Sequence, residues 1–428
     1  MNFRQLLLFT SIAAICLEGS SNAQVKYDMV VASDGSGDYK TVQAAFNAVP
    51  KNSSSRTVIY IKNGTYKENL TLTSDRKNVT IIGQSRDDVK LTYDNYSGKV
   101  VNGVTLSTST SSSTYIKSEG FCAINISFEN SSGPVGQAVA IYITGDKSIF
   151  YNCRFLGRQD TWYGDRCRQF IRKCYIEGST DFLFGPSTAW IDSCQIYSYG
   201  GSALTAASTE QYVTYGYVFR YCSISGASGV STTLGRPWRP YSAVSFLNCS
   251  MTSCIKAAGW DNWGNIANES TARYSEYKNT GSGASTTGRV TWAKQLTDAQ
   301  AQNYTFSNVL KSTYANPPAI DNWNPLSTLD QYTSNSSGTI HKIPVKSENF
   351  GLSILMTKGK SLVLQVSGIV GANSGRLYLY DLCGRVVFKK QIYGFGKVSF
   401  ELPEIKNGIY MVGVESCGHK IHKQITIR

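Results

Sequence analysis

Histidine is nearly absent. Of 428 residues only His341, His419 and His422 are histidines, and all lie near the C-terminal end. The first 330 residues therefore have no imidazole, which excludes a Ser-His-Asp triad or a histidine-ligated metal there. A G-x-S-x-G elbow is also missing, so a serine nucleophile of the α/β-hydrolase kind is not expected. Any chemistry in this region rests on carboxylates, amides, arginine, lysine or tyrosine. Long apolar runs are missing too. Leu6–Leu17 is the one sizeable run, and it is too short to span a bilayer. With Arg4 before it and Ser21-Asn22-Ala23 before Gln24, it reads as a signal peptide over residues 1–23. Cys16 follows Ile15, a poor fit to a lipoprotein site. The expectation is a soluble protein, secreted or attached to the cell surface, with no membrane span. Dense basic runs are also lacking. The net charge is +13, but the cations are spread along the chain, which argues against nucleic acid and for an anionic polymer outside the cell.

Cysteine is plentiful. Eleven are present, ten of them beyond the signal peptide, enough for a disulfide framework in an exported protein. Their spacing points elsewhere. Asn152-Cys153-Arg154-Phe155, Lys173-Cys174-Tyr175-Ile176, Ser193-Cys194-Gln195-Ile196, Tyr221-Cys222-Ser223-Ile224 and Asn248-Cys249-Ser250-Met251 are copies of one short strand. They recur every twenty to twenty-eight residues. Val79–Ile82 and Ala123–Ile126 are divergent copies. Such a period of strands and turns signals a solenoid, and long variable connections suit a parallel β-helix whose coils stack at about 4.8 Å. The cysteines then form an inward ladder of small buried thiols. Cys249 with Cys254, or Cys167 with Cys174, remain alternative pairs. Thr41–Val49 has apolar residues at helical spacing and suits a cap over the N-terminal end.

The style of the chain changes after residue 330. Residues 331–344, with Thr333-Ser334-Asn335-Ser336-Ser337-Gly338, form a polar linker. Residues 345–428 carry short strands around Leu377–Tyr380, Val386–Phe388 and Ile409–Val412 with turns at Cys383-Gly384 and Asn407-Gly408. A small β-sandwich is expected. Through Leu379-Tyr380-Asp381, Gly384-Arg385 and Asn407-Gly408-Ile409-Tyr410 it resembles the sorting modules of proteins exported by the type IX pathway of Bacteroidetes. The alternative is a plain carbohydrate-binding or spacing module.

The repeat singles out two carboxylates. Asp160 lies seven residues after Cys153, and Asp181 seven after Cys174. Equivalent rungs place them on adjacent coils. Two carboxylates so close repel, which raises at least one pKa and yields a proton donor beside an anion. Solvated turn aspartates would satisfy the same spacing. The neighbours Gln159, Trp162, Tyr163, Phe182 and Phe184 favour a site instead.

Five segments in order extend the reading: Gly64-Thr65-Tyr66-Lys67-Glu68, Gln137–Ile141, Gly157-Arg158-Gln159-Asp160-Thr161, Gly178–Gly185 and Leu234-Gly235-Arg236-Pro237-Trp238. Gly259-Trp260 and Glu276–Asn279 follow. On these the chain, over about residues 25–325 of an expected catalytic domain at 24–330, resembles the pectin methylesterases. The resemblance implies an all-β fold, a right-handed parallel β-helix. It implies hydrolysis of galacturonate methyl esters in pectin, giving methanol, with no cofactor, no metal and a monomeric enzyme. Asp181 then matches the nucleophile and Asp160 the acid/base. Gln159 and Gln137 match amides that stabilise the oxyanion, and Arg236 matches the arginine that holds Asp181 and lowers its pKa. Trp238 matches a sugar-stacking position. Tyr163, Phe184 and Trp260 are candidates for a sugar-binding wall, with core packing as the alternative for each. Thr114 is a candidate hydrogen-bonder to substrate, and Glu68 is read as structural. Trp162 and Ile141 stand where the family usually has leucine.

Three other readings compete: a pectin lyase, a polygalacturonase, and a non-catalytic pectin-binding scaffold. One tension remains in the favoured one. Gln159 and Asp160 are adjacent, and on a regular strand they would face opposite ways.

Overall fold

In a computed structural model of the chain, the described residues are 27–333 and, towards the C-terminus, 351–358, 361–367, 374–381, 386–393, 396–401, 405, 408–416 and 419–427. The signal peptide and most of the linker lie outside them, as do Cys383-Gly384-Arg385 and Asn407 of the C-terminal motifs.

The strand copies stack into three parallel sheets. One has eleven strands, from Met29–Val31 to Lys294–Gln295. The second has eight, from Gly64–Lys67 to Ser250–Met251, and the third has seven, from Leu70–Leu72 to Thr233–Gly235. Each central coil contributes one strand to each sheet, and the first sheet runs on beyond the other two, which makes a right-handed parallel β-helix. Register is fixed by the apolar residues that face inward, because a slip of one residue would turn each strand inside out. In the eight-stranded sheet Phe128, Phe155, Ile176, Ile196, Ile224 and Met251 pair in one continuous row. All six are buried.

The corner after each of six consecutive strands of the first sheet, from Cys122–Ile124 to Ala243–Leu247, is made by a residue in the left-handed region: Asn125 (φ 57°), Asn152 (50°), Lys173 (55°), Ser193 (54°), Tyr221 (53°) and Asn248 (55°). A side chain costs energy there, and asparagine tolerates it best. From Asn152 on, a cysteine follows each corner. Cys153, Cys174, Cys194, Cys222 and Cys249 point inward and are buried, and all eight described cysteines are free. The Cys249–Cys254 and Cys167–Cys174 pairings therefore do not form. The thiols stack instead: the N–H of Cys153 donates to Sγ of Cys174 at 3.3 Å, and that of Cys174 to Sγ of Cys194 at 3.3 Å.

The N-terminal end is closed by a helix, Val42–Ala48, that buries Val42, Ala45 and Phe46. The Glu68 carboxylate accepts from the N–H groups of Val42 (2.8 Å) and Gln43 (3.0 Å), where the helix leaves amides unpaired. Glu68 is thus structural. After the last coil the chain folds back over the outer face of the first sheet, where Val309, Leu310 and Leu329 join one apolar cluster with the sheet and Phe306 meets Phe170 and Trp190 edge-on. Arg168, fully buried, ties this return to the coils by gripping Asp146 (2.6 Å) and Asp321 (2.5 Å). Among the described residues no helix is long and apolar enough to cross a membrane.

The C-terminal segment forms two antiparallel sheets, of three strands and four strands. In the four-stranded sheet Leu377, Leu379, Val412 and Val414 are buried on one face. This is the alternation expected of a small β-sandwich.

Candidate active site

The seven-stranded sheet builds the site. Trp162 pairs with Leu183 and Tyr163 with Phe184, so Asp160 and Asp181, each two residues upstream of the first pair, occupy equivalent places on adjacent coils. The N–H of Asp160 donates to the carbonyl of Thr180 (3.2 Å), and the N–H of Asp181 to that of Ala203 (2.8 Å). Both aspartates are left-handed, at φ 66° and 52°. That kink ends the alternation just before each strand and lets neighbouring side chains turn to the same side, so Gln159 and Asp160 both line one cleft. Such strained backbone collects at functional sites.

The cleft has a volume of about 370 Å³. Asp160 is only 4% exposed and Asp181 6%, too little for solvated turn aspartates. Burial first, and then the charge of Asp181, push Asp160 up to about 8. Arg236 approaches Asp181 edge-on, with Nε 2.9 Å from Oδ1 and Nη2 2.6 Å from Oδ2, the two-point grip that a guanidinium fork gives a carboxylate. Arg236 pulls the pKa of Asp181 down as its role predicts, but burial outweighs it. The net shift of Asp181 is upward, which departs from the sequence expectation. Asp160 is pushed further, because it sits beside the anion and lacks the grip.

Gln137 and Gln159 are backbone partners on adjacent coils, so two amides line the cleft beside two carboxylates. Oε1 of Gln137 accepts from the hydroxyl of Thr108 at 2.7 Å. Tyr163 stacks between Tyr142 and Phe184, at centroid distances of 4.2 and 4.3 Å, and Trp238 meets Phe184 edge-on at 6.0 Å. Tyr163, Phe184 and Trp238 all line the cleft. Beyond Tyr163 and Trp238 it continues into a second depression of about 560 Å³.

Two expected residues are not brought in. Thr114 belongs to the strand Thr114–Ile116, is 1% exposed and does not line the cleft. Thr108 of the same hydroxyl-rich run takes that place. Trp260 is 2% exposed and stacks on Tyr274 at 4.4 Å, with its Nε1 donating to Glu276 (3.2 Å). It is core, and the exposed Trp263 reaches the cleft instead. Trp162 is likewise fully buried and packs rather than shaping a subsite.

This arrangement of paired buried carboxylates, amides and a clamped arginine coincides with a known family. The pectinesterase family model matches residues 28–313. The chain belongs to the pectinesterase family. It is thus a carboxylic ester hydrolase by descent, and the neighbouring proteins agree. Pectinesterase 31 of Arabidopsis thaliana is 40% identical over 283 residues, covering 64% of this chain and 89% of the relative. A probable pectinesterase/pectinesterase inhibitor 6 of the same plant is 40% identical over 306 residues, and the match spans 54% of its greater length. Among solved structures, the pectin methylesterase from carrot has 35% identity and a TM-score of 0.64, covering 67% of this chain and 94% of that one. A pectin methylesterase in complex with a hexasaccharide has 30% identity and a TM-score of 0.62, with 71% and 99% covered. A pectinesterase fold thus accounts for the β-helix of this chain, while the two C-terminal antiparallel sheets lie beyond the matched residues 28–313.

Proposed function

We propose that the chain hydrolyses the methyl esters of galacturonate units in pectin, with Asp181 as nucleophile and Asp160 as acid and then base. The observation that carries the roles is the asymmetry of the pair. Both carboxyls are buried one coil apart, but only Asp181 is gripped by a cation, while Asp160 is pushed up to about 8. At neutral pH such a pair holds one proton, on Asp160.

The chemistry follows. An oxygen of Asp181 attacks the ester carbonyl carbon, and the carbonyl electrons move onto its oxygen. Amide hydrogens of Gln159 and Gln137 stabilise that oxyanion, an effect of about 3 kcal/mol per well-placed donor. The C–O bond to the methoxy group breaks, Asp160 delivers its proton to the departing oxygen, and methanol leaves. The uronate carbonyl is then held as an anhydride on Asp181. Asp160, now ionised, takes a proton from water, whose oxygen attacks the anhydride. The products are a galacturonate carboxyl, which releases its second proton from water to the solvent, and Asp181 again ionised beside a reprotonated Asp160. Arg236 orients Asp181 throughout, and Trp238, Tyr163 and Phe184 form the wall for the sugar rings.

Methanol release from highly methylated pectin, compared with the Asp181→Ala variant, tests the reading. Release by the parent and its loss in a folded variant support it. A folded parent that releases no methanol overturns it.

The surroundings of the activity are part of the same proposal. The N-terminal apolar run directs export. The C-terminal antiparallel module serves sorting or surface attachment, and the enzyme acts as a monomer on pectin outside the cell. Support comes from the type IX-like motifs of the sequence and from the plant pectinesterase relatives. A C-terminally truncated chain that remains on the cell surface in the native host would refute the attachment role.

A further inference from the structure

Trp263 sits in a turn that its own conformation disfavours. Its φ is 62°, left-handed backbone that a bulky aromatic seldom adopts. Neighbours hold it there. The Asp261 carboxylate accepts the N–H of Trp263 at 2.7 Å, and Oδ1 of Asn262 accepts that of Gly264 at 2.9 Å. Asn262 in turn donates to Glu269 at 2.8 Å, and Asn268 donates to the Asn262 carbonyl at 3.0 Å. The turn is also tied to the coil below. Trp260 pairs with Gly235, and the N–H of Asp261 donates to the Gly235 carbonyl at 3.1 Å. Gly235 is the residue before Arg236, so the coil that carries the guanidinium also anchors the loop that carries the indole.

The result is a flat lid on a flat cation. Cζ of Arg236 lies 3.8 Å from the centroid of the Trp263 ring, close stacking for a cation over an aromatic face. The edge of the same guanidinium makes both bonds to Asp181. An arginine side chain has several rotatable bonds, and a carboxylate gripped at its edge fixes only part of that freedom. A second plane, stacked on the face, fixes the rest.

We propose that Trp263 is a positioning residue for the ester-cleaving carboxylate. It clamps the face of Arg236 and so sets the plane in which Arg236 presents Asp181 to the cleft. This rests on the reading of Asp181 as nucleophile. It also accounts for why a strained turn is built for an aromatic that is 37% exposed, where burial alone gives little reason for one.

Sugar stacking by Trp263 is the competing role, and kinetics separate the two. The groups in electrostatic reach of Asp181 are Arg236, Asp160, Asp261 and Tyr274. Of these Arg236 is the only cation. Loosening it leaves burial to act on Asp181, which moves the acid limb of the kcat profile to higher pH. The experiment measures methanol release by the full chain and by Trp263→Ala, Trp263→Leu and Trp263→Phe across pH, with thermal melting to confirm folding. Activity of the parent decides the underlying function by itself. The inference expects kcat of Ala and Leu to fall about tenfold, with KM changed less than about twofold. The acid limb moves up in both, and Phe, which keeps a flat face, stays within about threefold of the parent. A rise in KM with kcat and the acid limb unchanged overturns it in favour of sugar stacking. So does a Leu variant that performs as well as Phe, since filled volume would then suffice. If Ala does not fold, the Leu and Phe pair still decides.

Discussion

The hydroxyl of Thr108 donates to Oε1 of Gln137 at 2.7 Å, and this fixes which end of the amide faces the cleft. A hydroxyl spent on the carbonyl leaves the NH₂ group as the face open to substrate, the end an oxyanion needs. Thr108→Val should therefore lower kcat/KM about fivefold, the value of one hydrogen bond of about 1 kcal/mol. Thr108→Ser should keep most of the activity. Steady-state methanol release by the three proteins checks it, and equal rates for Val and Ser would remove the orienting role.

The pH profile should be a bell. The proposed cycle needs Asp181 ionised and Asp160 protonated. Burial raises both, so the acid limb lies above the ordinary carboxylate range. The alkaline limb lies near the value of about 8 to which Asp160 is pushed. The two limbs belong to the coupled pair rather than to either residue alone. An activity that stays flat well above pH 9 would show that no buried proton takes part.

The same proton costs stability. A carboxyl whose folded pKa is about 8 and whose unfolded pKa is about 3.9 binds more protons folded than unfolded over that window. Stability therefore falls as pH rises from about 4 to about 8. Asp160→Asn removes the ionisation while keeping the shape. Its melting temperature should exceed that of the parent by a few degrees at pH 8 and match it near pH 4, while activity is lost. Equal melting curves at pH 8 would mean that Asp160 is better solvated than its 4% exposure implies.

The cysteine ladder predicts silence. The described thiols are buried and free, and burial pushes Cys122, for example, up to about 12. Thiol reagents should leave them unmodified in the native state and label them all once the chain is unfolded. Reductant should leave the melting of the β-helix unchanged. Rapid native labelling at Cys174 or Cys194 would contradict the inward ladder.

Much of this was legible in the sequence, for a definite reason. A β-helix repeats its geometry, so Cys153 and Cys174 act as rulers and the two aspartates fall at the same distance from each. What failed lay where the ruler does not reach. The run from Ser107 to Thr114 is a string of hydroxyl residues without periodicity, and nothing in it tells Thr108, which lines the cleft, from Thr114, which is interior. Trp260 and Trp263 are two tryptophans in one loop, and only the closure of the coil at Gly235 buries the first and leaves the second over Arg236. The net upward shift of Asp181 is hidden from the sequence for a related reason. The charge of Arg236 can be read from the letters, but the depth at which both groups lie cannot.

Catalytic side chains often stand on loops, which vary more in length than the elements they join. Here the two groups stand at equivalent positions on successive coils, so their backbones are set apart by the interstrand spacing of a parallel sheet, about 4.8 Å. That spacing is a constant of the peptide group, which no substitution in the surrounding loops can retune. Selection can therefore remodel the groove, its aromatic wall and its rim almost freely, and the interval at which the chemistry works comes along unchanged.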